Sequence, residues 1–394
     1  MKIPNWPVFE NDEIKKTSKV LSSGLVNYWT GRETKLFEKE FAAFCGTKYS
    51  IALANGSLAL SAAYLSLDFK KGDEIITTPR TFIATASSAV LLGLKPIFAD
   101  VDYDSGLITP ETIEPLINKK TKGICVVHLG GWPADMKGIK YLAKKYNLKL
   151  IEDCSQAHGS GIFDNDLKNF QSVGSFGDVN TWSFCQDKII STGGEGGMIT
   201  TNKTNLMEKV WSLKDHGKSK KLVDASASNY SFKWIHNNFG SNFRLTEMQS
   251  AIGRIQLKKL YKWQAIRSNN AMILANTLKD NKLIRIPLPK KNLQHAWYKF
   301  NCFLNLNYLK SDWNRERIIA EIRIKDYPAF SGGCSEVYLE NCFKKYNLSP
   351  LIRCKNAKLL GETNLMFLVH PTINKKQMLA YSLCIKDVLN RATN

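Results

Sequence analysis

Residues able to do chemistry gather in four short stretches. The first is Thr181-Trp182-Ser183-Phe184-Cys185-Gln186-Asp187-Lys188, followed by Ser191-Thr192-Gly193-Gly194-Glu195-Gly196-Gly197. A lone lysine is ordinarily a surface residue. This one follows a hydrophobic run, where burial would desolvate the amine and suit it to Schiff-base chemistry. The glycines behind it let backbone pass close to a flat ligand. The second is Leu150-Ile151-Glu152-Asp153-Cys154-Ser155-Gln156-Ala157-His158-Gly159. A carboxylate at the end of an apolar strand can hold a cationic heterocycle by a charge-assisted hydrogen bond. A solvated loop with Asp153 capping the next helix accounts for it equally well. The third, Ala54-Asn55-Gly56-Ser57, is a strand-to-helix turn in which backbone N–H groups can approach a phosphate. Read alone, it is a turn with Ser57 as N-cap. The fourth, Phe239-Gly240-Ser241-Asn242-Phe243-Arg244-Leu245-Thr246-Glu247, reads alone as a helix start with Asn242 and Arg244 facing solvent.

Alternating elements must position these residues. Strands are expected at Ser50–Ala54, Glu74–Thr77, Pro96–Val101, Gly123–His128, Lys149–Glu152, Asn180–Phe184 and Gly197–Thr200. Between them lie amphipathic segments at Ser57–Leu67, Ala84–Leu92 and Met136–Tyr146. Such alternation implies an α/β fold with a mostly parallel, doubly covered sheet whose ligands sit at the carboxyl ends of the strands. A helical run over Thr246–Leu278 and a Pro/Lys loop at 286–291 then lead into a smaller mixed region. The expected organisation is a large α/β domain over 1–250, with a bridging helix and a small α+β domain over 251–394. Residues 1–20 are expected to pack on the small domain. The polar stretch from His216 to Asn238 reads as a mobile excursion near the site.

With 394 residues, 44% hydrophobic and 23% charged, the composition excludes collagen-like, disordered and disulfide-scaffold classes. The nine cysteines are scattered, with no CxxC pair, so free thiols in the cytoplasm are expected. Cys334, Cys342 and Cys354 fit no zinc pattern, and no metal site is expected. No secretory leader is read at the N-terminus, and the uncharged stretch Tyr49–Leu67 is broken by Asn55-Gly56-Ser57, so no membrane insertion is expected. The net charge is +20, of which 25 Lys/Arg against 9 Asp/Glu lie beyond residue 250. That asymmetry favours acidic partners. No nucleic-acid motif accompanies it, and no nucleic-acid binding is expected.

Taken together and in order, the four stretches resemble the DegT/StrS family of sugar aminotransferases, pyridoxal 5'-phosphate enzymes of fold type I. The likeness runs from Gly24 and Phe37-Glu38 to the region of Pro371. It implies a seven-stranded, mostly parallel sheet with a smaller C-terminal domain. It also implies that Lys188 forms the Schiff base with the cofactor and that Asp153 pairs with the pyridine nitrogen. By the same resemblance Gln156 sits beside the ring hydroxyl, Gly56, Ser57 and Ser183 cradle the phosphate, and Phe82 stacks on the ring. The bland alternative for Phe82 is an ordinary core phenylalanine. Asn242 would reach the phosphate from the neighbouring subunit of a homodimer with shared active sites. The implied reaction moves an amino group from L-glutamate to a nucleotide-diphosphate keto sugar, a 4-keto-6-deoxyhexose, for surface polysaccharide such as lipopolysaccharide O-antigen.

Two departures stand out. Thr192-Gly193-Gly194-Glu195-Gly196-Gly197 carries one glycine more than the family's usual Thr-Gly-Glu-Gly-Gly. A segment that usually contains Tyr-Pro and a nearby histidine reads Tyr327-Pro328-Ala329-Phe330-Ser331-Gly332-Gly333-Cys334. Amination of a 3-keto sugar, sugar dehydration and a non-catalytic cofactor-binding regulator are the competing readings. The presence of Lys188 argues against the dehydratase, and Lys188 with Asp153 against the regulator.

Overall fold

The computed structural model describes residues 2–164, 169–226 and 234–394. Its centre is a sheet of seven strands: β1 (Tyr49–Leu53), β2 (Glu74–Thr77), β3 (Lys95–Phe98), β4 (Thr121–Val127), β5 (Lys149–Asp153), and, after a hairpin β6 (Gly161–Asp164) and β7 (Asn169–Ser172), β8 (Val179–Ser183) and β9 (Gly197–Thr201). The order across the sheet is β1-β9-β8-β5-β4-β2-β3. Only β9 runs against its neighbours, pairing antiparallel with both β1 and β8. All seven strands fall where the apolar runs place them. The hairpin was not foreseen, because β7 (Asn-Phe-Gln-Ser) is polar and largely exposed.

Helices α1 (Asn11–Ser22), α2 (Glu33–Cys45), α3 (Gly56–Ser66) and α4 (Ala84–Leu91) open the chain. Asn55, not Ser57, caps α3: its Oδ1 accepts from the Leu58 N–H at 2.9 Å, which leaves the Ser57 hydroxyl free of that duty. The helix Glu247–Leu278 starts at a capping box between Thr246 and Gln249. Buried Glu247 accepts from the N–H groups of Glu33 and Thr34, which places a carboxylate on the positive end of α2.

Beyond that helix a three-stranded antiparallel sheet forms from Ile284–Arg285, Phe300–Leu304 and Asn364–Phe367. The C-terminal helix Lys375–Ala392 covers it, and Leu274, Phe300, Phe367, Tyr381 and Ile385 share one buried cluster there. The N-terminal segment reaches this part of the chain. Ile3 joins the same cluster, Thr372 donates to the Asn5 carbonyl at 3.0 Å, and Gln377 donates to that of Lys2 at 3.1 Å. Within the 216–238 stretch a helix spans Lys220–Ser226, and residues 227–233 lie outside the described residues. Among the described residues, no helix is long and apolar enough to cross a membrane.

Candidate active site

Strands β4, β5 and β8 end at a cavity of about 930 Å³. Its walls include Gly56, Ser57, Phe82, Asp153, Gln156, Ser183 and Lys188. Three of the four stretches therefore meet at one place. Asn242, from the fourth, is exposed and does not line this cavity; Arg244 is not free in solvent but pairs with buried Asp215 at 2.8 Å.

Strand alternation separates the two adjacent carboxylates. Asp153 faces the cavity, where its Oδ2 accepts from the Thr85 hydroxyl at 2.8 Å and its Oδ1 from the Ser155 N–H at 3.1 Å. No helix follows for it to cap. Glu152 points the other way and accepts from the N–H groups of Gly174, Phe176 and Gly177 at 2.9, 2.8 and 2.7 Å. His128 completes that shell: its Nδ1 accepts from the Ala134 N–H at 3.1 Å, which puts the ring proton on Nε2, 3.0 Å from Glu152. With Cys154 these residues form a buried cluster of metal-ligating types, but Glu152 and His128 are already spent on holding loops.

Lys188 lies just past β8, its side chain only 13% exposed. Its N–H donates to the Cys185 carbonyl at 3.1 Å, and its carbonyl accepts from the Trp6 indole N–H at 2.8 Å. The amine sits 3.8 Å from Asp187 Oδ1 and 5.2 Å from the centre of the Tyr298 ring. Burial raises the Asp187 carboxyl, but Lys188, the Tyr298 hydroxyl and Lys299 outweigh it and hold the group below its ordinary value. Neighbouring His158 packs against Trp182 and Phe184, and burial, helped by Lys188 and Arg267, pulls it down to about 3. It is neutral at pH 7. Asp187, Tyr298 and Trp6 were not singled out in the sequence. Asp187 is adjacent to Lys188, but Tyr298 and Trp6 arrive from 111 and 182 residues away in the chain.

The cavity suits a flat phosphorylated ligand. A Cβ on Gly56 would lie 2.6 Å from Ser183 Cβ, so only glycine leaves the notch between α3 and β8 open. The first N–H groups of α3 and the Ser57 and Ser183 hydroxyls surround that notch, an arrangement for an anion. Phe82 is no core residue: its ring is 68% exposed on the cavity wall. Gln156 Oε1 accepts from the Gly130 N–H at 2.7 Å. The extra glycine is absorbed locally, with φ of +83° at Gly193 and +121° at Gly194, and Gln249 ties the next residue's carbonyl to the long helix at 2.7 Å. The second departure also reaches the site, because Phe330, Gly332, Gly333 and Cys334 line the cavity.

A mostly parallel seven-stranded sheet, a lysine behind β8 and a carboxylate at the end of β5 define a fold type I pyridoxal-phosphate-dependent transferase. The chain belongs to the DegT/DnrJ/EryC1/StrS aminotransferase family, whose match spans residues 7–378. It is 38% identical over 283 residues to the dTDP-3-amino-3,6-dideoxy-alpha-D-galactopyranose transaminase of Aneurinibacillus thermoaerophilus, covering 72% of each chain. Among solved structures it resembles an aminotransferase from Psychrobacter cryohalolentis, with 46% identity, a TM-score of 0.95, and 99% of this chain and 100% of that one covered. It also resembles Helicobacter pylori PseC, an aminotransferase involved in the biosynthesis of pseudoaminic acid, with 27% identity, a TM-score of 0.86 and 98% of each chain covered.

Proposed function

We propose that this enzyme transfers the amino group of L-glutamate to the keto carbon of a nucleotide-diphosphate sugar, a 4-keto-6-deoxyhexose, on the way to a surface polysaccharide. The observation that carries the proposal is the meeting of a largely buried lysine, a hydrogen-bonded carboxylate and a notch held open by glycine in one cavity.

Gly56, Ser57 and Ser183 would hold the cofactor's phosphate, Phe82 its ring face, Gln156 its ring hydroxyl and Asp153 its pyridine nitrogen. Bound there, pyridoxal phosphate supplies a carbonyl for the donor nitrogen and an electron sink for the carbon beside it. Asp153, fixed by Thr85 and Ser155, keeps a proton on the ring nitrogen. Lys188 would anchor the cofactor, and its free amine would take the proton from the donor's α-carbon and return it one position away. With the keto sugar the same amine works in reverse.

The working unit proposed is a cytoplasmic homodimer in which Asn242 serves the partner's phosphate site. Asn242 lies off its own cavity, in the same stretch of chain as fully exposed Phe239. The domain division at about residue 250 remains part of this reading. Amination at carbon 3 is the rival, favoured by the 3-amino sugar in the name of the Aneurinibacillus relative.

The test is the visible spectrum of the protein with pyridoxal phosphate, before and after glutamate, with Lys188→Ala as control. A cofactor band that fades with glutamate only when Lys188 is present supports the transaminase. A band indifferent to Lys188 favours the non-catalytic cofactor-binding regulator instead. A keto-sugar panel, with the aminated carbon located by NMR, then separates carbon 4 from carbon 3.

A further inference from the structure

The cavity wall holds a second amine that the chemistry above leaves unused. Lys299 follows Tyr298 at the entry to the strand Phe300–Leu304, and its side chain is only 17% exposed. It lines the same cavity as Lys188, and also a second cavity of about 670 Å³ roofed by residues 2–6. An ammonium has three donors, yet this one makes no hydrogen bond to a described residue. Its nearest acid is Asp187, with Oδ2 4.0 Å away.

Asp187 is a poor counter-charge for it. That carboxylate already accepts from the Tyr298 hydroxyl and from Cys185 Sγ, and faces Lys188 at 3.8 Å through its other oxygen. Arg267 adds a third cation on this side. It is buried over the Trp6 ring, its Nη1 donates to the carbonyls of Trp297 and Tyr298 at 3.3 Å, and its Nε and Nη2 make no hydrogen bond to a described residue. Burial pulls Lys299 below the ordinary lysine range; Asp187 opposes this, and Arg267 and Lys188 add to it. Two further cations, Lys299 and Arg267, thus share with the reacting amine of Lys188 one carboxylate among the described residues. A burial so lopsided is costly unless a ligand supplies negative charge.

The two substrates differ in where they carry that charge. The sugar's sits on its diphosphate, several bonds from the keto carbon. An amino-acid donor carries a carboxylate on the carbon that bears its nitrogen, and that nitrogen takes the place of the Lys188 nitrogen. The demand for a cation next to Lys188 is therefore the donor's. We infer that Lys299 receives the carboxylate that the amino-acid donor carries beside its reacting nitrogen. The inference rests on the transaminase reading.

The experiment uses the holoenzyme with Lys299→Met and Lys299→Arg and follows each half-reaction separately. Glutarate, an unreactive dicarboxylate, gives a pure binding readout by calorimetry. Loss of one charge-assisted hydrogen bond predicts that Lys299→Met raises the KM for glutamate and the Kd for glutarate by about tenfold or more. The maximal rate and the KM for the keto sugar should change little, and Lys299→Arg should recover part of the loss. Unchanged glutamate KM and glutarate Kd in Lys299→Met, or a rise confined to the keto sugar, overturns the inference while leaving the transaminase standing. A wild-type enzyme inert to glutamate overturns both.

Discussion

Replacing Gly56 by alanine puts the phosphate notch to a quantitative test. The glycine lies in the first turn of α3 without a positive φ, so the backbone itself tolerates a side chain. What it does not tolerate is the neighbour. The new methyl carbon would sit 2.6 Å from Ser183 Cβ, 3.0 Å from its Oγ and 3.2 Å from its Cα. Ordinary carbon contacts need about 3.5–4.0 Å, so the notch must open by close to an ångström. Ser183 ends β8, a fully buried strand between β5 and β9, and has little freedom to retreat. Overpacking of this kind costs about 1–3 kcal/mol of stability. If the shift also breaks one hydrogen bond to the phosphate dianion, about 1.5–3 kcal/mol of binding is lost, or roughly ten- to hundredfold in Kd. The assay is a cycle of Gly56→Ala, Ser183→Gly and the double variant, with urea unfolding of the apoprotein and fluorescence titration of pyridoxal phosphate. In the double variant the two closest approaches are gone and only the 3.2 Å contact with the backbone Cα remains, so its stability should recover part of what Gly56→Ala loses. A Gly56→Ala protein that unfolds and binds cofactor like the wild type refutes the notch.

Two further outcomes follow from contacts around the cavity and the buried histidines. Thr85→Val removes the hydroxyl 2.8 Å from Asp153 while keeping the side chain's shape; losing a hydrogen bond to a buried charge should cost about 1.5–3 kcal/mol in stability or cofactor affinity, and a variant matching wild type in both by unfolding and titration would show that Asp153 needs no such support. Burial holds His158, His295 and His370 down to about 3, so between that value and the free value of 6.5 the unfolded chain binds protons the folded chain does not, and stability falls as pH drops through this window. Each histidine should contribute a slope of about 1.4 kcal/mol per pH unit. His295→Asn, which keeps an acceptor for the Trp297 N–H, should shallow the acid limb by one proton in denaturation curves at pH 7, 6 and 5; an unchanged limb would show that His295 is protonated in the fold.

The parallel strands could be read from sequence because a strand covered on both faces is a nearly continuous apolar run, as in Ile124–Val127 and Leu150–Ile151. Lys188 and Asp153 stood at the ends of such runs, where a sheet of this kind presents its chemistry. Local pattern did not say which of Glu152 and Asp153 faces the cavity, nor that Asn55 takes the capping role from Ser57. Those outcomes depend on strand phase and on one side-chain torsion. Least legible were partners joined only by the tertiary fold: Tyr298 with Asp187, Thr85 with Asp153, and Trp6 with the lysine loop. None of these leaves a periodicity, and Thr85 and Trp6 pass for core residues until the chain is closed.

The seating of residues 2–6 has a consequence for synthesis. Asn5 and Lys2 are held by Thr372 and Gln377, which lie 367 and 375 residues further along, and Trp6 in turn holds the carbonyl of Lys188. During translation the large sheet can close long before the ribosome has made the groups that dock this segment. The lysine loop therefore gains its full support only after the chain has left the tunnel beyond Gln377. A nascent or stalled polypeptide ending before that point would carry every cavity-lining residue named above and still present the Lys188 amine on an unfinished mount.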